Sequence, residues 1–347
     1  MPEIELAGRR IGDGRPCFII AEAGVNHNGH MRIAHELVGL AAEAGADAIK
    51  FQTFAADRLA TAYAPKALYQ VARTGGESAH EMLKQLELSR EDHLELIDAC
   101  RREGIMFLSS AFDEESADLL EDLGVEAFKV PSGEVTNLPY LRHLARKRRP
   151  LIVSTGMADL EEVERAFTTI REAGPVPVAL LHCVSLYPSP AAGSNLRAMQ
   201  TMRGRFGVPV GFSDHTEGFG VALAAVALGA AVIEKHFTTD RGLPGPDHAA
   251  SLEPAELRAM IEGIRVVESA LGDGVKQPLP EEAETAKVAR KSVVAGADIA
   301  EGAVITREML TLKRPATGLP PAKLDWVVGR RARVPIRAGS VITSEMV

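Results

Sequence analysis

FIIAEAGVNHNGHMRIAHELVGLAAEAGADAIKFQT, residues 18–53, contains one complete copy of the unit that decides the fold. Its first seven residues and its last six, AIKFQT (48–53), are short and almost continuously apolar. A half-exposed strand would alternate, so each run reads as a strand buried on both faces. Between them Ile33, Leu37, Leu40, Ala41 and Ala44 recur at helical spacing, and Gly45 follows where a left-handed helix cap belongs. The reading is strand, helix, strand.

Working outward, the unit recurs. Six further runs have the same character: MFLSSAF (106–112), AFKVPS (127–132), LIVSTG (151–156), VALLHC (178–183), VPVGFS (208–213) and VIEKHF (232–237). Helical spacing such as Val163-Phe167-Ile170-Ala173 separates them, and Gly104, Gly124, Gly174 and Gly229 are expected as further left-handed caps. Eight strand–helix units predict an α/β chain folded as a (β/α)8 TIM barrel. A doubly wound open sheet is the alternative, because alternation alone does not separate the two. The count of eight, a span of about 260 residues and the lack of GxGxxG after the first strand favour the barrel. One connection is long: residues 54–90 carry an apolar helix-like segment and the loop TGGES (74–78), an insertion of the kind that serves as lid or interface.

Past residue 272 the pattern changes. GDGVKQPLPEEAE (272–284) is polar and proline-containing, a linker by composition. The expected division is a barrel over 1–271, a linker over 272–290 and a small β-rich module over 291–347. Within that module IAEGAVITREM (299–309) aligns with IRAGSVITSEM (336–346), seven of eleven positions being identical. So short a repeat predicts a small pseudo-symmetric unit with glycine turns.

Composition narrows the function. The 347 residues are 46% hydrophobic and 25% charged with a formal charge of −8, which excludes disordered, fibrous and coiled-coil chains. A mildly acidic chain without Lys/Arg blocks is a poor partner for nucleic acid or an anionic membrane. Cys17, Cys100 and Cys183 lack finger or CxxC spacing and read as reduced. The N-terminus has no signal-peptide core, and the greasiest stretch (221–233) falls short of the roughly 20 residues a spanning helix needs. A soluble cytoplasmic protein is expected.

Barrel chemistry belongs at the C-terminal strand ends. There the chain places Glu22; Lys50 and Gln52; Ser109 and Ser110; Lys129, Ser132 and Glu134; Ser154; His182 and Cys183; Ser213 and His215; Glu234 and His236. Charges inside strands are costly to bury, so Lys50 and Lys129 are expected to have anionic partners. Polar rims and structural Lys–Glu pairs account for any one such residue; polar groups at all eight ends argue for a site. His215 and His236 follow neighbouring strands and suit one divalent metal completed by water and substrate oxygens, the alternative being two hydrogen-bonded rim histidines. His182 reads as a satisfied core histidine. There is no HExxH, EF-hand or GxSxG, and GDG (272–274) lacks a phosphate-loop context. Lysines, hydroxyls, a carboxylate and a possible metal suit a small anion bearing phosphate and carboxylate beside a carbonyl.

The segments IIAEAGVNHNG (19–29), AGADAIKFQTF (44–54), FKVPSGEVTNLPYL (128–141), IVSTGM (152–157), LLHC (180–183), YPSP (187–190), GFSDHT (211–216), EKHFT (234–238), PGPDHAASLEP (244–254) and KRPATG (313–318) together resemble the sialic acid synthase (N-acetylneuraminate synthase) family. The likeness spans nearly the whole chain, its C-terminal module resembling the antifreeze-like (SAF, β-clip) domain. It implies condensation of phosphoenolpyruvate with an N-acetylated sugar aldehyde such as N-acetylmannosamine, releasing phosphate. It implies that His215 and His236 hold Mn²⁺ (or Mg²⁺ or Co²⁺). Lys50, Ser110, Lys129, Ser132, Ser154 and Ser213 fall on phosphoenolpyruvate positions, and Glu22, Gln52, Glu134, Tyr187 and Asp247 on the sugar side. Glu22 could also transfer a proton or activate water. Arg314 matches an arginine reaching over the partner's barrel in a domain-swapped homodimer.

Departures from the family pattern bear on the acceptor. SSAF (109–112) keeps the second hydroxyl but lacks a proline, and Ser185 stands where some members have Asn. AEAGVNHNG and PGPDHAASLEP resemble members that make legionaminic acid from 2,4-diacetamido-2,4,6-trideoxymannose, which is the alternative acceptor. The competing functions are a related condensing enzyme acting on a phosphorylated sugar, which needs a second basic pocket, and a non-catalytic sugar-binding or morphogenetic homologue, which predicts a damaged site.

Overall fold

The computed structural model describes residues 3–67, 71 and 78–347 and divides the chain into two compact units, 1–272 and 273–347. In the first unit a two-stranded antiparallel hairpin, β1 (Glu3–Leu6) and β2 (Arg9–Gly12), precedes the barrel. Eight parallel strands then close in the order β10-β3-β4-β5-β6-β7-β8-β9. They are β3 (Phe18–Gly24), β4 (Ala48–Thr53), β5 (Met106–Ala111), β6 (Phe128–Val130), β7 (Leu151–Ser154), β8 (Val178–Cys183), β9 (Val210–Asp214) and β10 (Val232–His236). The open-sheet alternative is excluded by the β10–β3 pairing that closes the ring.

Alternate strand residues serve two cores. Ile19, Ile49, Phe107, Phe128, Val153, Leu180, Phe212 and Ile233 point outward against helices such as Met31–Glu43 and Leu160–Ala173. Ile20, Leu108, Ile152, Leu181 and Val232 form a separate inner cluster in the lower barrel, and Ile4, Leu6 and Ile11 of the hairpin join it. The hairpin therefore plugs the N-terminal mouth. It was not foreseen, although Glu3–Leu6 alternates at period two and Ala7 and Gly8 turn with positive φ (50° and 74°).

Four of the five expected cap glycines, Gly45, Gly104, Gly124 and Gly229, are left-handed. Gly174 is not; its φ is −179°, extended backbone. A Cβ there would stand 2.9 Å from the Ala145 carbonyl oxygen, so close approach explains this glycine. In the long connection the helix Ala79–Lys84 begins with a Ser78–Glu81 capping box; the rest of the 74–78 loop lies outside the described residues.

The segment read as a linker contains the helix Glu282–Ala289, and the Lys287 carbonyl accepts from Ala316 N–H, so it belongs to the second unit. In that unit β11 (Ser292–Ala295) pairs with β12 (Leu310–Lys313). The repeats meet at their first residues, Ile299 and Ile336 each donating to the other's carbonyl at 2.8 Å. Other bonds come in matched sets at the repeat offset of 37 residues. Ala295 N–H to Ser340 O corresponds to Ala332 N–H to Ala303 O, and Ile342 N–H to Val293 O corresponds to Ile305 N–H to Arg330 O. Equivalent side chains also share the core: Ala295 with Ala332, Ile305 with Ile342, Leu310 with Val347.

Candidate active site

Strand register assembles the site. His236 lies opposite Glu22, Glu22 opposite Lys50, Ser110 opposite Lys129, and Ser213 opposite Glu234. Above the inner apolar cluster the barrel wall thus turns polar, and a cavity of about 400 Å³ opens over it. Glu22, Lys50, Gln52, Ser110, Lys129, Ser132, Ser154, Tyr187, Ser213, His215, His236 and Asp247 all line this cavity, so the structure brings together twelve of the fourteen residues to which the family resemblance gives a role. Glu134 is held by Asn137, whose Nδ2 donates at 2.7 Å, and does not line it. Arg314 is exposed on the second unit. His182 is bonded to the Ser194 carbonyl (2.7 Å), as a core histidine should be, and Ser109 bonds Thr53 instead of facing the cavity.

Both lysines have carboxylate partners. Lys50 Nζ is 2.6 Å from Glu22 Oε2 and donates to Ser110 Oγ at 2.9 Å. Lys129 Nζ is 3.6 Å from Glu234 Oε1 and donates to Ser154 Oγ at 2.7 Å. Glu234 also stands 3.7 Å from Lys50 and accepts from Ser213 Oγ at 2.9 Å. Sequence reasoning noted Glu234 at a strand end but assigned it no role; its place two residues before His236, on the same strand face, was the available signal. Ser185 and Cys183 line the cavity as well.

The two carboxyls diverge. Burial raises Glu22 to about 7, against the pull of Lys50. Burial also opposes ionisation of Glu234, but Lys129 and Lys50 outweigh it and bring that carboxyl down to about 2. Burial raises Asp247 to about 6. The site therefore has a fixed anion between two cations and, beside it, a carboxyl able to hold or release a proton near neutrality.

His215 donates from Nδ1 to the Val184 carbonyl at 2.8 Å, so Nε2 offers a lone pair when the ring is neutral; burial opposes protonation of this imidazole, but the neighbouring Cys183 and the Val184 carbonyl outweigh it and raise it. Its ring centroid is 4.1 Å from that of Tyr187 and 5.4 Å from that of His236. Burial and the neighbouring His215 hold His236 well below the usual imidazole range, as a neutral ring. His236 Nδ1 is buried without a hydrogen-bond partner and lies 4.0 Å from Asp247 Oδ2. Two neutral-capable imidazoles and an orphaned nitrogen fit a divalent ion. Among the described residues no three His, Cys, Asp or Glu side chains converge as a complete ligand set, so water or substrate oxygens would have to finish the shell.

Comparison with known proteins matches residues 37–276 to the NeuB family and residues 290–347 to the SAF domain. The chain belongs to the NeuB family. It is 48% identical over 339 residues to the N,N'-diacetyllegionaminic acid synthase of Legionella pneumophila, covering 96% of this chain and 95% of that one. Against the human N-acetylneuraminate-9-phosphate synthase it is 38% identical, covering 99% and 97%. The crystal structure of the Leptospira borgpetersenii N-acetylneuraminic acid synthetase superposes with a TM-score of 0.73 at 35% identity, covering 82% of this chain and 94% of that one. The chain pairs a closed barrel with a SAF domain, and among the described residues no helix is long and apolar enough to cross a membrane.

Behind the histidines lies a third buried ion pair. Lys235 Nζ and Asp214 Oδ2 are 3.1 Å apart and fully buried on the outer strand face, and Lys235 also donates to the Thr216 carbonyl. The pair ties together the two strand ends that carry His215 and His236.

Proposed function

We propose that this cytoplasmic protein is a nonulosonic acid synthase that condenses phosphoenolpyruvate with an N-acetylated amino-sugar aldehyde such as N-acetylmannosamine, releasing phosphate. The observation that carries this reading is one cavity in which two lysines, each bonded to a serine hydroxyl, stand beside two imidazoles and three carboxyls. The names of the relatives support it: they are synthases of sialic and legionaminic acids. The diacetamido acceptor of legionaminate synthesis is the alternative.

In this reading Lys50, Lys129 and the hydroxyls of Ser110, Ser132, Ser154 and Ser213 hold the phosphate and carboxylate of phosphoenolpyruvate. Glu22, Gln52, Tyr187 and Asp247 orient the sugar; Glu134, expected on the sugar side, does not line the cavity and is given no role. Phosphoenolpyruvate C3 attacks the aldehyde carbon, whose oxygen takes up a proton; water adds at the cationic C2 and loses its proton, and the C2–O bond then breaks, phosphate leaving with the bridging oxygen as the 2-keto group forms. Glu22, buried and close to Lys50, is placed to take a proton from that water. His215 and His236 would hold a divalent ion such as Mn²⁺, and its chemistry there would be to polarise the aldehyde. The partner reading is a homodimer in which each Arg314 serves the other chain's barrel.

The test is direct. Protein stripped with chelator, then resupplied with Mn²⁺ or Mg²⁺, is incubated with phosphoenolpyruvate and each acceptor, and phosphate and a nine-carbon keto acid are measured. Activity is expected to vanish with the metal and return with it. Full turnover by metal-free protein sinks the metal assignment; no product with either sugar sinks the synthase.

A further inference from the structure

On the outer face of the barrel, the register that passes through Lys235 is apolar where it crosses β3, β4 and β5. Lys235 lies opposite Ala21, Ala21 opposite Ile49 and Ile49 opposite Phe107, all three packed in the core under the helices. Into that layer the chain puts two charges, Lys235 and Asp214, both 0% exposed. Replacing such a pair by apolar side chains of similar volume is often neutral or stabilising, because taking two charges out of water offsets their attraction. Stability of the core therefore does not account for the pair. Its hydrogen bonds show where it acts.

They converge on Thr216. Asp214 Oδ1 accepts from Thr216 N–H at 2.9 Å and from the Thr216 hydroxyl at 2.8 Å, and Lys235 Nζ donates to the Thr216 carbonyl. Asp214 Oδ2 and Lys235 Nζ, 3.1 Å apart, close the set. One clamp thus holds the residues on either side of His215 and fastens them to the residue before His236. It begins where the backbone ladder ends: β9 and β10 pair Phe212 with Ile233, Ser213 with Glu234 and Asp214 with Lys235, and go no further. On the β8 side His215 has ties of its own, its ring to the Val184 carbonyl and its carbonyl accepting from Ser189 N–H at 2.8 Å. On the β10 side the clamp supplies the tie.

We propose that Asp214, Lys235 and Thr216 are positioning residues that fix the spacing of the His215 and His236 imidazoles, and thereby how tightly the two rings hold a divalent ion. This rests on the reading of those histidines as a metal site. Two ligands carried on separate strands bind one ion well only while their spacing is set beforehand, since any freedom between them has to be frozen out on binding. None of the three residues touches the ion or the substrates in this arrangement; they act through the backbone on which the imidazoles stand.

The experiment measures Mn²⁺ binding to the whole, chelator-stripped chain without substrates, from the loss of the free ion's paramagnetic resonance signal. Phosphoenolpyruvate binding to the same samples is measured by calorimetry, and folding by melting curves. The main variant combines Asp214→Asn with Lys235→Met: the asparagine oxygen can still accept from Thr216, both charges leave together, and the tie between the strands is cut. Residues that support metal ligands from behind are worth about 10- to 100-fold in affinity, so the Mn²⁺ Kd should rise at least about tenfold. The phosphoenolpyruvate Kd should stay within about twofold of wild type, because Lys50 and Lys129 keep their own partners. Thr216→Val leaves both charges in place and removes one hydrogen bond of the clamp; its Mn²⁺ Kd should rise about threefold, and it decides the matter if the double variant does not fold. Mn²⁺ affinity unmoved in the folded variants, or falling no further than phosphoenolpyruvate affinity, overturns the proposal and leaves the histidine site standing. A wild type that takes up no Mn²⁺ would instead remove the histidine site itself, and the clamp's role with it.

Discussion

Glu234 stands between two buried ammonium groups and answers both, 3.6 Å from Lys129 and 3.7 Å from Lys50. Removing one partner from a buried ion pair leaves an uncompensated charge, so Glu234→Gln should lower stability by about 3 kcal/mol, read from the urea midpoint. Lys129→Met removes charge but keeps most of the stem, and phosphoenolpyruvate affinity should fall at least tenfold while the acceptor KM changes less. Equal losses for both substrates, or simple unfolding, would make the lysine structural. Glu22 behaves differently. Its carboxyl rises from an ordinary 4.5 to about 7. Between those values the native state holds a proton that the unfolded chain has released, so raising the pH through this window lowers stability. Relative to Glu22→Gln, the wild type should lose up to about 3 kcal/mol across it and run parallel above pH 7. Melting curves at stepped pH read this directly, and parallel curves throughout would show that the carboxyl is not perturbed. The individual residues were largely legible beforehand because strand ends are fixed by a period of two. The identity of the lysines' partners was not: Lys50 meets Glu22 on the neighbouring strand, but Lys129 on β6 meets Glu234 on β10 across the barrel interior, and the closed ring that brings those two together is nowhere written in local sequence.

Among elements, the eight strands were readable because each is a buried apolar run, while the N-terminal hairpin was missed because only Ile4, Leu6 and Ile11 carry its burial. It nevertheless closes the barrel floor. Leu6 is fully buried there, so Leu6→Ala should cost about 2–5 kcal/mol in chemical denaturation. The polar layer lies at the opposite strand ends, so kcat should hold within about twofold in the folded fraction. A large loss of turnover without a loss of stability would mean that the floor sets the geometry above it. The helix Glu282–Ala289 escaped notice for a related reason: none of its residues is buried, so it lacks an apolar stripe to read.

At the scale of the molecule, the proposed homodimer, in which each Arg314 serves the other chain's barrel, makes a prediction for mixed chains. Arg314→Ala and His215→Ala chains, each nearly inactive, can be unfolded together and refolded as an equal mixture. If Arg314 acts across a two-fold dimer, one site in each mixed dimer is whole, and roughly a quarter of wild-type activity should return. Mass spectrometry confirms that mixed dimers formed; no recovery in their presence would place Arg314 in its own chain. The matched bonds of the C-terminal module carry another consequence. Ile299 faces Ile336, its own counterpart, and the flanking bonds repeat in both halves. A ladder of that kind can be satisfied by two separate copies of one short peptide as well as by one chain. The module thus has the form of a peptide pair joined head to tail, and within one chain the two halves need not be alike: Arg330 occupies the counterpart of buried Val293.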